Sequence, residues 1–347
     1  MNHKYILLTI LILSSTFVLT NCNLPRISLA RATATAAGSA TPFGPTPTET
    51  APPAFPTVEL GLAENPLILA LPPSANSQAQ IDAAKVIASQ FTERTGYTVV
   101  TVIPDSYSAL VEALGKGNAH IVLLDPYAYE LAFQGDLVRA SYAVLEDGAG
   151  KYGAQFLATR RGGFTAYFDE SLDKNTTENP ALALAQFTDK KPCWSDETSP
   201  SGYVIPLGYL NGNQIPTKPA AFVEGHPTVV RSLYASGICD FGATYIDARK
   251  FPSLEDQFPD LFEQVLVVWQ IPPIIPYNVL AFSTSMPQGM RDLFTNLIPA
   301  ILQTEAGRAA FKTAYEIEEV EAVNDGYYEE FRMYLNASGV DLTTLVK

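Results

Sequence analysis

The residues best suited to chemistry lie at 198–203, immediately before a helix-like run that begins at Val204. Ser199 and Ser201 offer hydroxyl donors, and Gly202 allows a ligand to approach the backbone closely. The first N–H groups of a helix have no partner within it, and the helix dipole is positive there, so such a start attracts an anion. No nucleophile with its base lies nearby in the sequence. The stretch therefore predicts a site that holds an oxyanion.

The elements around this stretch alternate between short apolar runs and helical patterns, which is typical of parallel α/β architecture. The same order recurs in two parts of the chain, and helical patterns dominate its last part. Two apolar runs, at 152–160 and 265–282, lie where the chain can pass between two lobes. The expected strands are at 66–71, 97–102, 120–124, 192–194 and 239–244, and the expected helices at 78–91, 106–114, 204–209, 286–302, 304–315 and 327–335.

We therefore predict a two-lobed α/β fold with two hinge crossings and a ligand cleft between the lobes. Lobe I is expected to comprise residues 65–155 and 275–347, and lobe II residues 156–274. The first lobe would then be built from both ends of the folded chain.

The beginning of the chain predicts export. Lys4 precedes an apolar-to-small run at 5–19, which Asn21 and Cys22 follow. The run is shorter than the about 20 apolar residues that span a bilayer, and the layout is typical of a lipoprotein signal peptide. We predict a signal peptide over 1–22 and lipidation of Cys22. Asn21 stands where a small residue is usual, which leaves an uncleaved signal anchor or ordinary secretory cleavage as alternatives.

The next segment predicts a stalk. Residues 30–57 are almost all Ala, Thr, Pro, Ser and Gly, a composition that cannot bury enough surface to fold. We predict an extended, disordered stalk over 23–64 that lets a folded domain stand off a membrane. A low-complexity terminus without function is the alternative.

Composition narrows the function classes. A formal net charge of -14 argues against nucleic acid, which needs a basic footprint. With Cys22 assigned to lipid, Cys193 and Cys239 remain as a candidate disulfide in an oxidising compartment, and two separate buried thiols are the alternative. The three histidines are scattered and no Cys-x-x-Cys occurs, so neither a metal site nor a cofactor is expected.

Four segments carry a family resemblance, and they fall in the family's order. They resemble the phosphate/phosphonate/phosphite-binding proteins, the extracytoplasmic substrate-binding lipoproteins of ABC importers. The segments are Ser-Tyr-Ser-Ala-Leu-Val-Glu-Ala-Leu at 106–114 with Asp-Pro-Tyr-Ala-Tyr at 125–129, Ser-Pro-Ser-Gly-Tyr at 199–203, Gly-His at 225–226 with Cys-Asp-Phe-Gly-Ala-Thr at 239–244, and Pro-Pro-Ile-Ile-Pro-Tyr-Asn at 272–278.

The resemblance implies a type II periplasmic-binding-protein clamshell that closes on a phosphorus oxyanion and presents it to an ABC permease. Tyrosines of the first lobe would close the pocket, while hydroxyls, backbone N–H groups and a histidine ring of the second lobe would hold the anion. An acidic residue would face the ligand. The ligand residues implied in this way are Tyr107, Tyr129, Ser199, Ser201, Gly202, His226, Asp247 and Asn278.

Two departures from the family pattern bear on the ligand. Pro200 stands where the family has Thr, which removes a hydroxyl and one backbone N–H. Asn278 stands where the family often has Asp, which removes a carboxylate partner for the ammonium group of an aminoalkylphosphonate. A plainer oxyanion, or an ester of one, is therefore favoured.

Other function classes remain as alternatives. Ser199 or Ser201 with His226 and Asp247 supplies the residue types of a serine hydrolase triad, but no Gly-x-Ser-x-Gly elbow occurs, and an enzyme is not expected. A lipid-anchored receptor for a different small organic anion, or a sensor, would use the same clamshell. The expected partners are a small oxyanion, an ABC permease and the membrane that holds the anchor, and the chain is expected to be a monomer.

Overall fold

The computed structural model describes residues 58–75 and 77–347 of the chain. The predicted signal peptide, the lipidation site Cys22 and the stalk as far as residue 57 lie outside the described residues. Within the described ranges, no helix combines the length and the apolar character needed to cross a membrane.

Thirteen strands form three sheets in the described part of the chain. They are β1 (Leu67–Ala70), β2 (Val99–Val102), β3 (Ile121–Leu124), β4 (Val138–Leu145), β5 (Lys151–Thr159), β6 (Phe168–Asp169), β7 (Lys174–Asn175), β8 (Pro192–Trp194), β9 (Ala221–Phe222), β10 (Phe241–Tyr245), β11 (Val265–Pro276), β12 (Val279–Ser283) and β13 (Glu319–Ala322).

The helices follow the strands in the order that the sequence predicts. They are α1 (Gln78–Thr95), α2 (Tyr107–Gly115), α3 (Pro126–Gln134), α4 (Pro180–Leu184), α5 (Ile205–Gly212), α6 (His226–Ala235), α7 (Pro252–Gln257), α8 (Leu261–Gln264), α9 (Gln288–Leu302), α10 (Glu305–Tyr315), α11 (Glu329–Ser338) and α12 (Leu342–Leu345). A π-helical turn, Pro200–Val204, leads directly into α5.

Two mixed sheets define two lobes. The first has the order β13-β4-β12-β3-β1-β2, and the second has the order β11-β5-β10-β8-β9. In the first sheet, β1 pairs in parallel with β2 and β3, and β12 joins β3 in antiparallel fashion. In the second sheet, β8 pairs in parallel with β9 and β10, and β5, which begins the lobe, pairs in antiparallel fashion with β10 and β11. The predicted two-lobed α/β clamshell is confirmed. β6 and β7 form a separate small hairpin.

The chain passes between the lobes in two short connections. β5 lies in the second sheet along its whole length, and its first residues pair with the end of β11, Lys151 with Pro276 and Tyr152 with Ile275. The first passage is therefore the tight turn 146–150, and the second is 277–278. The expected boundaries after residues 155 and 274 fall inside these paired strands, because an apolar run does not reveal which sheet it joins.

The start of the folded domain lies earlier than predicted. Residues 58–64, assigned to the stalk, pack on the first lobe: the Gly61 N–H donates to Asn65 O, Thr98 N–H donates to Gly61 O, and Leu60 joins the apolar core. Gly61 has a φ of +93°, and an added Cβ would strike the Tyr97 ring. The composition of this segment hid a short ordered turn that a glycine makes possible.

The C-terminal segment belongs to both lobes and not to lobe I alone. On α11, Tyr334 stacks against Tyr209 of α5 in the second lobe, with ring centroids 3.7 Å apart. On the same helix, Arg332 pairs with Glu130 of α3 in the first lobe at 2.6 Å. The helical pattern at 327–335 predicted the element, but it carried no information on which lobe it would cover.

Cys193 and Cys239 form a disulfide with a Cα–Cα distance of 5.6 Å. Cys193 lies on β8, and Cys239 lies two residues before β10, the neighbouring strand. The bond therefore links the two strands whose connection contains Ser199 and the π-helical turn.

Candidate functional site: a donor-lined cavity beside the passages between the lobes

A cavity of about 340 Å³ opens beside the π-helical turn and the two passages between the lobes. Its walls come from four places in the chain: the start of β5, the π-helical turn, the α6–β10 region and the residue after β11. The lining residues are Tyr152, Gly153, Ser201, His226, Tyr245, Ile246 and Tyr277.

The π-helical turn supplies the donors that the sequence predicts. Ser199 is its N-cap, and the Ser199 hydroxyl oxygen accepts the Gly202 N–H at 3.0 Å. Ser201 is buried and lies near Tyr152: burial raises the pKa of the Tyr152 hydroxyl, and the Ser201 side chain opposes that shift. Pro200 occupies the first turn, where its fixed φ fits and its missing N–H costs no intrahelical bond. The cap satisfies the Gly202 N–H and Pro200 has none, so this terminus offers an anion fewer backbone donors than an uncapped helix, and the Ser201 hydroxyl adds to them.

Gly202 is required by close packing. A Cβ at this position would overlap Ser195 Oγ and would lie 2.9 Å from His226 Cε1. Ser195 is 1% exposed, and its hydroxyl has no hydrogen-bond partner among the described residues. The glycine thus brings a second buried hydroxyl close to the start of the helix.

His226 presents a neutral ring to this site. Burial lowers the pKa of His226 to about 4, and the Asp196 carboxylate opposes that shift only in part. The Tyr245 N–H donates to His226 Nδ1 at 3.4 Å, which places the proton of the neutral ring on Nε2. Nε2 lies 3.5 Å from Ser199 Oγ. His226 therefore contributes one N–H donor and no positive charge.

The histidine can be tested by titration. We expect the imidazole resonance of His226 to titrate with a midpoint near 4, measured by proton–carbon NMR of the Cε1–H group. Because the folded-state pKa lies below the unfolded value of about 6.5, the associated stability is present above pH 6.5 and is lost as the pH falls toward 4. A His226→Gln variant assigns the resonance by its loss. A midpoint at or above 6.5 would contradict a buried neutral ring.

Tyr129, which the resemblance assigns to the pocket, is engaged elsewhere in the first lobe. Tyr129 is fully buried, donates its hydroxyl to Asp325 at 2.6 Å and packs on Tyr328, so it does not line the cavity. Residues two positions apart in a helix point in nearly opposite directions, so Tyr127 lies on the other face of α3 from Tyr129. Tyr127 is 5% exposed, and its hydroxyl has no partner among the described residues. Burial raises the pKa of the Tyr127 hydroxyl, and Tyr152 and Asp196, both in the second lobe, add to that shift.

This placement gives Tyr129 a structural role. We expect Tyr129→Phe to lower the free energy of unfolding by about 1 kcal/mol, because the partly buried Asp325 Oδ1 loses the phenol donor and keeps only the Ala140 N–H. Denaturant unfolding measures this loss, and ligand affinity should not change. A variant of full stability that has lost its affinity would show that Tyr129 contacts the ligand.

Tyr107 begins α2 near the cleft but is not among the residues that line the cavity. Its N–H donates to the carbonyl oxygen of Lys347 at 2.9 Å, and the Ser108 hydroxyl donates to the carbonyl oxygen of Val346 at 2.7 Å. Burial and the Asp125 carboxylate raise the pKa of the Tyr107 hydroxyl, which keeps it a donor. The C-terminal segment therefore covers the start of α2.

Asp247 does not face the cavity. Its carboxylate accepts hydrogen bonds from Gln155 Nε2 and Arg249 Nη2, each at 2.8 Å. Burial alone would raise the pKa of Asp247, but the Arg249 guanidinium and these hydrogen bonds hold the pKa below its ordinary value. The structure thus engages with Arg249 and Gln155 the carboxylate that the resemblance placed toward the ligand.

The residues of a hydrolase triad are likewise not assembled. In a triad, the Nδ1–H of the histidine donates to an acidic residue. Here, His226 Nδ1 instead accepts the Tyr245 N–H. Asn278 lies in the second passage, where its carbonyl accepts the Val144 N–H, and its side chain is not among the cavity-lining groups. In the described ranges, no three His, Cys, Asp or Glu side chains converge as metal ligands.

The sequence reasoning missed the aromatic wall. Tyr152 and Tyr277 stack with ring centroids 5.0 Å apart, and the Tyr245 ring meets the His226 ring edge-on at 4.7 Å. Both stacked tyrosines flank the passages between the lobes. Their position beside the predicted crossings was the available signal, since a cleft must open where the chain crosses.

The geometry agrees with a family comparison. The family described as "ABC transporter, phosphonate, periplasmic substrate-binding protein" matches residues 69–328. The chain belongs to this family. The matched span runs from β1 to the 3₁₀ turn before α11 and includes both lobes. Members of the family are transporter binding proteins and not enzymes, so this phosphonate-family protein is not an enzyme.

Individual relatives share little sequence identity with this chain. The phosphate-import protein PhnD of Mycolicibacterium smegmatis is 25% identical over 190 residues, which cover 52% of this chain and 54% of that protein. The match therefore spans about half the length of this curated relative. Two structures of XAC2383 from Xanthomonas citri, bound to ATP and to a chloride ion, match with TM-scores of 0.55 and 0.53. Both are 14% identical; they cover 81% and 79% of this chain, and 99% and 97% of theirs. These structural matches show a shared fold.

Proposed function

We propose that this protein captures a phosphorus oxyanion in the cleft between its lobes. The observation that carries the proposal is the convergence of neutral donors on one end of the cavity: the Ser201 hydroxyl, the His226 Nε2–H and the N-terminus of the turn at Pro200–Val204. Donors of this kind stabilise an anion without a neighbouring cation, and they do so more strongly where closure excludes water.

The donor set favours binding of a phosphorus oxyanion over nucleophilic catalysis. The serines cap a helix, and no base is positioned to deprotonate them, since His226 holds its proton on the nitrogen that faces Ser199. The site can therefore bind and release an anion unchanged. Tyr127 is the group that we propose as the first-lobe donor, because its buried hydroxyl has no partner among the described residues.

The family supports a role in import. We propose that the protein works outside the cytoplasm, tethered through lipid on Cys22, as a monomer that delivers its ligand to an ABC permease. Closure of the two lobes around the anion would produce the form that the permease recognises. The anion stabilises the closed form, because some of its contacts are made only when both lobes touch it. The free energy of these contacts drives closure.

A ligand panel tests the proposal. We expect phosphate, phosphite or methylphosphonate to raise the melting temperature of the purified protein, because a ligand that binds only the folded state stabilises it. Sulfate, which has the same shape, serves as the control for a nonspecific salt effect. 2-Aminoethylphosphonate should stabilise less than methylphosphonate, since no free carboxylate lines the cavity for its ammonium group. Equal shifts with sulfate and with every phosphorus oxyanion would contradict a specific site.

A further inference from the structure

The cavity is larger than a bare oxyanion requires. Its volume of about 340 Å³ lies within the range of roughly 300–1,000 Å³ that is typical of pockets for organic ligands. The anion donors, Ser201 and His226, occupy one part of its wall. The other part remains for a substituent attached to the phosphorus.

The remaining wall is aromatic and aliphatic. Tyr152 and Tyr277 present a stacked ring pair, and Tyr245 adds a third ring. Ile246 is 42% exposed although it is a large aliphatic side chain beside the site. Flat and apolar groups gain from contact with such a surface, since the removal of apolar area from water is favourable and aromatic rings stack on one another.

No fixed charge compensates a charged substituent. Of the described residues that line the cavity, none is Lys, Arg, Asp or Glu. Asp247, next to Ile246 in the chain, is already paired with Arg249, and the exposed Asp196 accepts hydrogen bonds from Thr198. Glu146 and Asp147, whose charges act on Tyr277, are exposed to water and are not among the cavity-lining residues. An ammonium or carboxylate on the substituent would lose its hydration without gaining a partner.

We propose that the ligand is a monosubstituted phosphonate or phosphate whose substituent is uncharged and flat or apolar, held against Tyr152, Tyr277 and Ile246. This inference rests on the proposed function, because the oxyanion end must bind first. It narrows the ligand to one chemical class and assigns the aromatic wall the role of selecting it.

A matched series of ligands separates the substituent from the anion. Methylphosphonate, phenylphosphonate, 2-aminoethylphosphonate and phosphonoacetate share one head group and differ in size and charge. We expect calorimetric titration of the full chain to show phenylphosphonate binding at least tenfold more tightly than methylphosphonate, and the two charged ligands binding more weakly than methylphosphonate. Phenyl phosphate distinguishes an ester from a phosphonate as the preferred source of the head group.

Two variants localise the effect. In Ile246→Ala and Tyr277→Ala, the ratio of phenylphosphonate to methylphosphonate affinity should fall severalfold toward one. Ile238→Ala, which removes an equally exposed aliphatic side chain outside the cavity, should leave the ratio unchanged. Ile246 is at the surface, so its variant keeps the test valid if Tyr277→Ala fails to fold.

The outcomes distinguish the inference from the function beneath it. Equal affinities for methylphosphonate and phenylphosphonate, or a ratio that Ile246→Ala does not move, would overturn the aromatic selection and leave oxyanion capture standing. Tighter binding of 2-aminoethylphosphonate than of methylphosphonate would also overturn it. Binding of none of the five ligands would overturn the proposed function, and the inference with it.

Discussion

Ser201→Ala is expected to weaken binding of the phosphorus oxyanion by roughly 10- to 100-fold. A hydrogen bond to a charged group contributes about 1.5–3 kcal/mol, and each 1.4 kcal/mol is about a factor of ten in affinity. Ser201 is 2% exposed, so water cannot readily replace its hydroxyl in the closed cleft. Calorimetric titration of the wild-type protein and the variant with the same ligand measures the loss.

The control for this substitution is Ser232→Ala. Ser232 is 5% exposed and lies on α6, six residues after His226, so the change removes an equally buried hydroxyl from a neighbouring helix without touching the cavity. Its affinity should equal that of the wild-type protein. An unchanged affinity in Ser201→Ala, with the fold intact, would contradict the assignment of the π-helical turn as the anion cradle.

Arg332→Leu is expected to lower the free energy of unfolding by about 3–5 kcal/mol, the cost of breaking a buried ion pair. Glu130 is fully buried, and both of its oxygens accept from Arg332, at 2.6 and 3.1 Å. Without the guanidinium, a buried carboxylate has no cation. Denaturant unfolding at constant pH measures the change.

The pH dependence of the variant identifies the cause. Burial already raises the pKa of Glu130, and the Arg332 guanidinium opposes that shift. Removal of Arg332 raises the folded-state pKa further, so the folded state binds the proton more tightly than the unfolded state. The deficit should therefore be small at low pH and should grow as the pH rises through the folded-state pKa.

A double substitution serves as the matched control. Glu130→Leu with Arg332→Leu replaces the pair by apolar groups and should restore most of the lost stability. A double variant as unstable as Arg332→Leu alone would show that the loss came from packing, for example from the contact of the guanidinium with the Phe133 ring. The pair matters because it fastens α11, which also covers the second lobe, to the first.

The fold was predictable from the sequence because its signals are local. The alternation of strands and helices, the caps at Ser106 and Asp125, and the serine-rich helix start are each read within a few residues. The alternation predicted parallel pairing, and the antiparallel strands of both sheets were not predicted, because they join their sheets from distant parts of the chain. The family resemblance added the roles of Ser201 and His226, which line the cavity.

The rest of the site depends on contacts between distant parts of the chain. Tyr127 and Tyr129 lie on different faces of α3, and the residue types alone do not reveal which face packs into the first lobe. Asp247 is held by Gln155 of β5 as well as by Arg249, and neither pairing could be predicted from the sequence around it. The pairing of Tyr152 with Tyr277 arises only when β5 and β11 lie side by side.

The measurement that tests the central claim most directly is isothermal titration of the purified protein with methylphosphonate and, separately, with sulfate. We predict a dissociation constant in the micromolar range or tighter for methylphosphonate, one site per chain, and no measurable heat with sulfate. Heat-free titrations with both anions, on protein shown to be folded by its melting curve, would contradict oxyanion capture by this cleft.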